Sequence, residues 1–170
     1  MNIGERREAM SIKMATTTLA VVSALLWAGA ARAADFVDTI ATMPNLTTFS
    51  AALKAAGMGD TLKGKGPFTV FAPTDDAFKR LTADSMTNLM KPENKDQLVR
   101  LLTFHVLAGK VTENDMKGKM YKAKTLNGKE IEVDADDPGE GIRINKANIT
   151  KGDVAADNGV VHLINRVLLP

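Results

Sequence analysis

Cysteine is missing from this sequence of 170 residues. Its absence excludes disulfide bonds, a thiolate nucleophile, thiolate metal ligands and the acylated cysteine that anchors bacterial lipoproteins. A domain built from this chain must therefore be stabilised by the packing of its core.

Catalytic residue types are also scarce. The two histidines, His105 and His162, lie in apolar stretches typical of buried strands, where a lone histidine is more often a hydrogen-bonded core residue than a ligand. No third nitrogen or sulfur ligand accompanies them, so a zinc site is not expected. Beyond residue 33 the serines are Ser50 and Ser85, and neither lies in the Gly-x-Ser-x-Gly context of a hydrolase nucleophile. We therefore expect a protein that is not an enzyme, with no catalytic residue, metal or cofactor.

The first 33 residues have the pattern of a secretory signal peptide. A basic segment precedes an almost wholly apolar run at 15–30 and an Ala-Arg-Ala sequence at 31–33, which predicts cleavage after Ala33. An uncleaved anchor is the alternative, although the run is shorter than the roughly 20 residues that a membrane span needs. We predict a signal peptide over 1–33, one domain over 34–170, and a secreted or periplasmic bacterial protein with no integral span after cleavage. Met10 and Met14 are alternative initiators.

Removal of this segment changes the charge balance. Residues 1–33 hold four of the 22 Lys and Arg and two of the 20 Asp and Glu, so 18 of each sign remain and the net charge falls from +2 to 0. The lysines at 117, 119, 122 and 124 form a modest basic patch with Tyr121 as its single aromatic residue. These features indicate a solvated surface, and a nucleic-acid partner is not expected.

The segment Thr69–Leu81 concentrates several consistent local signals. β-Branched and aromatic residues open it as a strand, and Pro73 interrupts the strand, because proline has no N–H to donate to a ladder. Thr74 is placed to cap a helix. Asp75 and Asp76 follow, and we expect both carboxylates to stabilise the positive N-terminal end of that same helix.

The rest of the chain reads as helices first and strands later. Helical spacing predicts helices over 36–43, 47–56, 84–90 and 92–102, and shorter turns over 58–62 and after Thr112. Apolar runs and alternation predict strands over 104–107, 120–126, 129–134, 142–144, 149–154 and 160–169. Asn127-Gly128 is the hairpin signal between the second and third of these. The order predicts one α+β domain with a run of antiparallel strands.

An acidic turn is the best candidate metal site. Asp134, Asp136 and Gly139 match the first, third and sixth positions of a calcium-binding loop. Pro138 occupies the fifth position, and Asn145 stands at the twelfth, where a bidentate Glu is required. We therefore expect a solvated acidic turn.

Three segments of the chain resemble fasciclin-like domains of the fasciclin-1 type. The first signature of that family is similar to Thr69, Val70, Phe71, Ala72, Pro73, Thr74, Asp75, Asp76, Ala77 and Phe78. The second signature is similar to residues 158–170, with Asn158, Gly159, His162, Ile164, Asn165, Val167, Leu168 and Pro170. The central Tyr-His motif of the family is similar to Phe104-His105. Order and spacing agree over the whole of 34–170.

The resemblance implies a wedge of antiparallel or mixed β-strands with several helices packed alongside. Its motif residues then have a mainly structural role: Asn158-Gly159 as a tight turn with positive φ, and His105 as a hydrogen-bonded core residue. Two positions depart from the family pattern. Phe104 replaces the usual Tyr and lacks its hydroxyl, and Asn165 stands where Asp is common and lacks its charge.

The resemblance also implies a non-enzymatic adhesion or binding module that mediates cell-surface, matrix or host contact, including symbiosis. We expect its partner to be an extracellular or envelope protein or glycan, and the chain to act as a monomer. The alternative hypothesis is a periplasmic carrier of an apolar small molecule such as a lipid or pigment. Adaptable methionine side chains would line its groove: Met43, Met58, Met86, Met90, Met116 and Met120.

Overall fold

The computed structural model describes residues 36–62, 64, 66–137 and 139–170. The predicted signal peptide lies outside these residues. Three helices open the described chain: α1 (Phe36–Ala41), α2 (Thr47–Ala56) and α3 (Gly59–Leu62). Gly57 ends α2 with a φ of 70°, a left-handed conformation that glycine adopts without strain.

Four further helices alternate with the first strands. They are α4 (Asp75–Lys79), α5 (Ala83–Leu89), α6 (Lys95–Phe104) and α7 (Glu113–Met116), with a 3₁₀ turn over Pro92–Asn94 before α6. Thr112 and Asp115 form a reciprocal capping box at α7, which satisfies two backbone donors at the start of this short helix.

In the part of the chain that the structure describes, seven strands form one sheet. They are β1 (Phe68–Pro73), β2 (Val106–Ala108), β3 (Met120–Lys124), β4 (Glu130–Asp134), β5 (Arg143–Ile144), β6 (Ala147–Ala156) and β7 (Gly159–Ile164). Their spatial order is β2-β1-β7-β6-β5-β4-β3. A bridge between Leu107 and Thr125 joins the two ends of the sheet, so the sheet is folded into a wedge.

The sheet is mixed: from β3 to β7 each strand pairs antiparallel with the next, as predicted for the later strands, whereas β1 and β7 are parallel. These two strands come from opposite ends of the described chain and no short turn connects them, so local signals carry no information about their pairing. Every residue of β7 is buried, as are five of the six in β1, which explains why both read as continuous apolar runs.

Two cores lie on opposite faces of β1 and β7. The first core packs helices α1, α2 and α6 against the strands and includes Phe36, Phe49, Leu53, Val70, Leu102 and Val161. The second core lies within the wedge and includes Phe71, Phe104, Met116, Ile131, Ile144, Ile164 and Leu168. Alternate residues of the two central strands therefore serve different cores.

The structure corrects the predicted strand over 104–107. Phe104 is the last residue of α6, His105 is the cap that ends the helix, and β2 begins at Val106. The helical spacing of Leu98, Leu101 and Leu102 continues to His105, whose ring bonds the carbonyl one turn earlier. The apolar run thus spans a helix end and a strand start.

Candidate functional site

The two signature segments lie side by side in the sheet. β1 and β7 pair in parallel register from Phe68 opposite Gly159 to Pro73 opposite Ile164. At the far end the Thr74 N–H donates to the Ile164 carbonyl at 3.1 Å. Both segments therefore leave the sheet at the same end of these two strands.

Asn158 and Gly159 hold the near end of this pair. The Asn158 side chain donates to the Leu62 carbonyl and accepts from the Phe36 N–H at 3.3 Å, while its own carbonyl accepts from the Phe68 N–H at 2.9 Å. Gly159 has a φ of 152°, and a Cβ there would overlap the Phe68 carbonyl oxygen. This Asn-Gly pair therefore fixes the starts of α1, β1 and β7 relative to one another.

Asp75 caps a different helix from the one predicted. Its carboxylate accepts from the Thr48 N–H at 2.7 Å and from the Thr47 hydroxyl at 2.5 Å, so it stabilises the start of α2. Burial raises the pKa of this carboxyl, but the bonds from Thr47 and Thr48 outweigh burial and the pKa is lowered. Thr74 does cap α4, accepting from the Ala77 N–H at 3.3 Å, and Asp76 pairs with Lys79 at 2.7 Å.

His105 is fully enclosed, and both ring nitrogens have backbone partners. Nδ1–H donates to the Leu101 carbonyl at 2.8 Å, and Nε2 accepts from the Leu168 N–H at 2.9 Å. Burial lowers the pKa of His105 to about 4, against the opposing effect of the Leu101 carbonyl. The neutral ring thus joins the end of α6 to the last residues of the second signature.

His162, on β7, has the same character. Nε2–H donates to the Val111 carbonyl at 2.8 Å, and Nδ1 accepts from the Asp153 N–H at 3.3 Å. Its ring stacks on Phe71 with 5.6 Å between centroids. Burial lowers its pKa, so this ring also serves the fold as a neutral bridge.

The remaining motif residues are largely internal. The Thr69 hydroxyl donates to the Gly109 carbonyl and accepts from the Val111 N–H, each at 2.8 Å. Asn165 accepts from the Asn148 N–H at 2.9 Å, a bond that needs only its carbonyl oxygen and no charge. The other buried members are Val70, Phe71, Ala72, Pro73, Ala77, Phe78, Phe104, Ile164 and Leu168. Pro170 is exposed at the end of the chain, and Val167 is partly buried.

An open groove runs across the ends of β1 and β7, where the two signatures leave the sheet, and we name it the motif groove. It consists of three depressions of about 500, 310 and 640 Å³ that share lining residues. Arg80 links the first to the second, and Arg166 with Val167 links the second to the third. Its lining residues are Asn45, Thr74, Asp75, Asp76, Ala77, Lys79, Arg80, Leu81, Glu132, Asn145, Lys146, Ala147, Thr150, Asn165, Arg166, Val167, Leu168 and Leu169.

Sequence reasoning did not single out Arg80 or Arg166. Arg80 follows the first signature by two residues, and Arg166 lies within the second; no local pattern marks either arginine as part of a site. Their place in one groove follows from the pairing of β1 with β7 and could not be read from either segment alone.

The acidic turn is organised by an arginine. Asp134 pairs with Arg143 at 2.6 Å, and Glu140 pairs with the same guanidinium at 2.6 Å. The bond from Arg143 lowers the pKa of the Asp134 carboxyl. Within the described segments, no group of three or more His, Asp or Glu side chains is arranged to hold a metal ion.

The methionines do not converge on one groove. Met58 is buried in the first core and Met116 in the second. Met43, Met86 and Met90 pack against the first core, whereas Met120 on β3 is 57% exposed. The carrier hypothesis finds no support in this distribution. In the part of the chain that the structure describes, no helix has the length and apolar character needed to cross a membrane.

Comparisons with known proteins extend these observations. Protein sll1483 of Synechocystis is 39% identical over 168 residues, which covers 99% of this chain and 89% of that protein. Immunogenic protein MPB70 of Mycobacterium bovis is 34% identical over 132 residues, covering 75% of this chain and 64% of that protein. Human periostin is 33% identical over 135 residues, covering 78% of this chain but only 15% of periostin.

A solved structure shares the fold. It is a FAS1 domain pair from the insect cell adhesion molecule Fasciclin I, with a TM-score of 0.51 and 16% identity, over 71% of this chain and 43% of that chain. A family model described as the fasciclin domain matches residues 44–170. The resemblance of the three motifs is therefore confirmed, and the chain belongs to the fasciclin domain family.

Proposed function

We propose that this protein is a non-enzymatic, exported adhesion or binding module that makes contact with a cell surface, a matrix or a host. Family membership supports the proposal, since a domain pair of the same fold comes from an insect cell adhesion molecule. The observation that carries it is the open motif groove at the junction of the two signatures. Sites for small molecules bury most of their ligand, whereas an open groove suits a large partner.

The polar side chains of the motifs already have hydrogen-bond partners within the domain, which supports a non-enzymatic role. His105 and His162 each use both ring nitrogens in bonds to the backbone. The Asp75 carboxylate accepts hydrogen bonds from Thr47 and Thr48. A general base needs a free lone pair within reach of its substrate, and these groups hold the fold together instead.

Export rests on the pattern of the first 33 residues. Cell fractionation followed by N-terminal sequencing tests it, and we expect a mature chain that begins at Ala34 in the periplasm or the medium. A cytosolic protein that retains residues 1–33 would contradict export.

Adhesion is tested with a deletion strain of the native host. We expect weaker retention of the deletion strain on host or matrix-coated surfaces, restored by the wild-type gene and inhibited by added purified domain. Pull-down from envelope fractions should recover a protein or glycan partner. Unchanged adhesion, biofilm and host association, together with an empty pull-down, would overturn the proposal.

A further inference from the structure

Two arginines without partners line one depression of the motif groove. Arg80 is the cap residue that ends α4, and Arg166 follows β7 by two residues. Both side chains are exposed and both line the central depression of about 310 Å³. Among the described residues, neither guanidinium group forms an ion pair or a hydrogen bond.

The charges around these arginines do not neutralise them. Asp76 forms an ion pair with Lys79, and the Asp75 carboxylate accepts a hydrogen bond from the Thr48 N–H at the start of α2. Lys146 and Glu132 line the outer depression, and neither side chain has an ionic partner within the described segments. Three groove cations therefore lack an ionic partner among the described residues, Arg80, Lys146 and Arg166, against two such anions, Asp75 and Glu132. Among the described residues, the two arginines are the only charged side chains that line the central depression, so an anionic ligand there would be attracted to both of them.

The chemistry of arginine limits the classes of anion that would bind here. Its planar guanidinium donates two parallel hydrogen bonds to a carboxylate, sulfate or phosphate. Amide and hydroxyl side chains of Asn45, Thr150 and Asn165 line the inner depression, and Asn145 lines the outer one. These groups can exchange hydrogen bonds with sugar hydroxyls on either side of a bound anionic group.

The position of the groove favours a polysaccharide over a peptide. One way in which an extended peptide binds is by adding a strand to a free sheet edge. The groove instead lies at the ends of β1 and β7, which are flanked by β2 and β6 within the sheet. A polysaccharide needs no such ladder, and an open groove of linked depressions accommodates a chain.

We propose that the motif groove binds an acidic polysaccharide, with Arg80 and Arg166 contacting its carboxylate or sulfate groups. This inference rests on the proposed function and names the class of partner and the surface that receives it.

The test measures binding of purified residues 34–170 to alginate, which carries carboxylates, and to dextran sulfate, by isothermal titration calorimetry in low salt. Neutral dextran and poly-glutamate are the comparison ligands. The variant Arg80→Gln/Arg166→Gln removes two charges from the groove. The matched control Arg100→Gln/Lys129→Gln removes two exposed charges that lie outside the groove lining.

We expect wild-type protein to bind at least one polyanionic polysaccharide and not neutral dextran. The groove variant should bind about tenfold or more weakly, since two charge-assisted contacts are lost. The control should keep its affinity, and both variants should melt near the wild-type temperature because all four side chains are exposed.

Three results would overturn the inference: no binding to either polysaccharide, equal weakening in both variants, or arginine-dependent binding of poly-glutamate alone. The adhesion assay distinguishes this failure from failure of the proposed function. Adhesion with no polyanion binding refutes only the groove assignment. Polyanion binding with unchanged adhesion in the deletion strain refutes the adhesive function.

Discussion

His105 makes the stability of the protein sensitive to mild acid. Its pKa is about 4 in the folded chain and 6.5 when exposed, so the unfolded chain takes up the proton first as the pH falls. The stabilisation is complete above pH 6.5 and is lost progressively down to pH 4, by about 3 kcal/mol. His162, whose pKa is also lowered, acts in the same direction.

Urea unfolding at pH 7.5, 5.5 and 4.5 measures this loss. A His105→Gln variant should be less stable throughout but show a smaller change with pH. Lowered carboxyl pKa values, such as that of Asp75, reduce stability mainly below about pH 4, so most of the loss between pH 7.5 and 4.5 is assigned to the histidines. Equal wild-type stability at pH 7.5 and 4.5 would refute the role of the buried imidazoles.

Gly159 is a position where a single methyl group should disrupt the fold. A Cβ would meet the Phe68 carbonyl and the Phe36 ring, and the backbone φ of 152° is unfavourable for other residues. We expect Gly159→Ala to cost about 3 kcal/mol or more, because backbone cannot move aside cheaply. Gly128→Ala is the control: its φ is also positive, at 86°, but it has no neighbour within 4 Å, so only backbone strain of about 1 kcal/mol applies. Similar losses in denaturant unfolding would contradict this account.

At the scale of elements, Asp75 couples two helices. It follows the Thr74 cap of α4 in sequence, yet its carboxylate caps α2. Asp75→Ala should lower the free energy of unfolding by about 1 kcal/mol, the usual value of a helix cap. Asp76→Ala should change stability little, since its ion pair with Lys79 is exposed. A double-mutant cycle of Asp75→Ala with Thr47→Ala should show coupling, and strictly additive effects would exclude the bond between them.

Helices and hairpins could be predicted where the residues that determine them are contiguous in sequence. The helix predicted over 47–56 coincides with α2, and the Asn127-Gly128 hairpin joins β3 and β4 as expected. Features that depend on residues distant in sequence could not be predicted from local signals. The parallel pairing of β1 with β7, the target of the Asp75 carboxylate and the common groove of Arg80 and Arg166 all require the tertiary fold. The motif residues could therefore be named from sequence, whereas the groove that some of them line could not.

At the scale of the whole described domain, the two cores share its central strands, β1 and β7. β1 contributes Val70 to the first core and Phe71 to the second, and β7 contributes Val161 and Ile164 in the same way. Neither core can lose these strands and remain packed, so we expect both cores to unfold in one cooperative transition.

Two probes can follow the cores separately. Circular dichroism at 222 nm reports mainly the helices around the first core, and Tyr121, the single tyrosine, packs against the second. Because the single tryptophan lies within 1–33, tyrosine fluorescence of residues 34–170 is unobscured. Leu53→Ala in the first core and Ile131→Ala in the second should each cost about 2–5 kcal/mol. Each substitution should shift both probes to the same new midpoint. A shift confined to one probe would show that the two cores unfold independently and that the shared strands do not couple them.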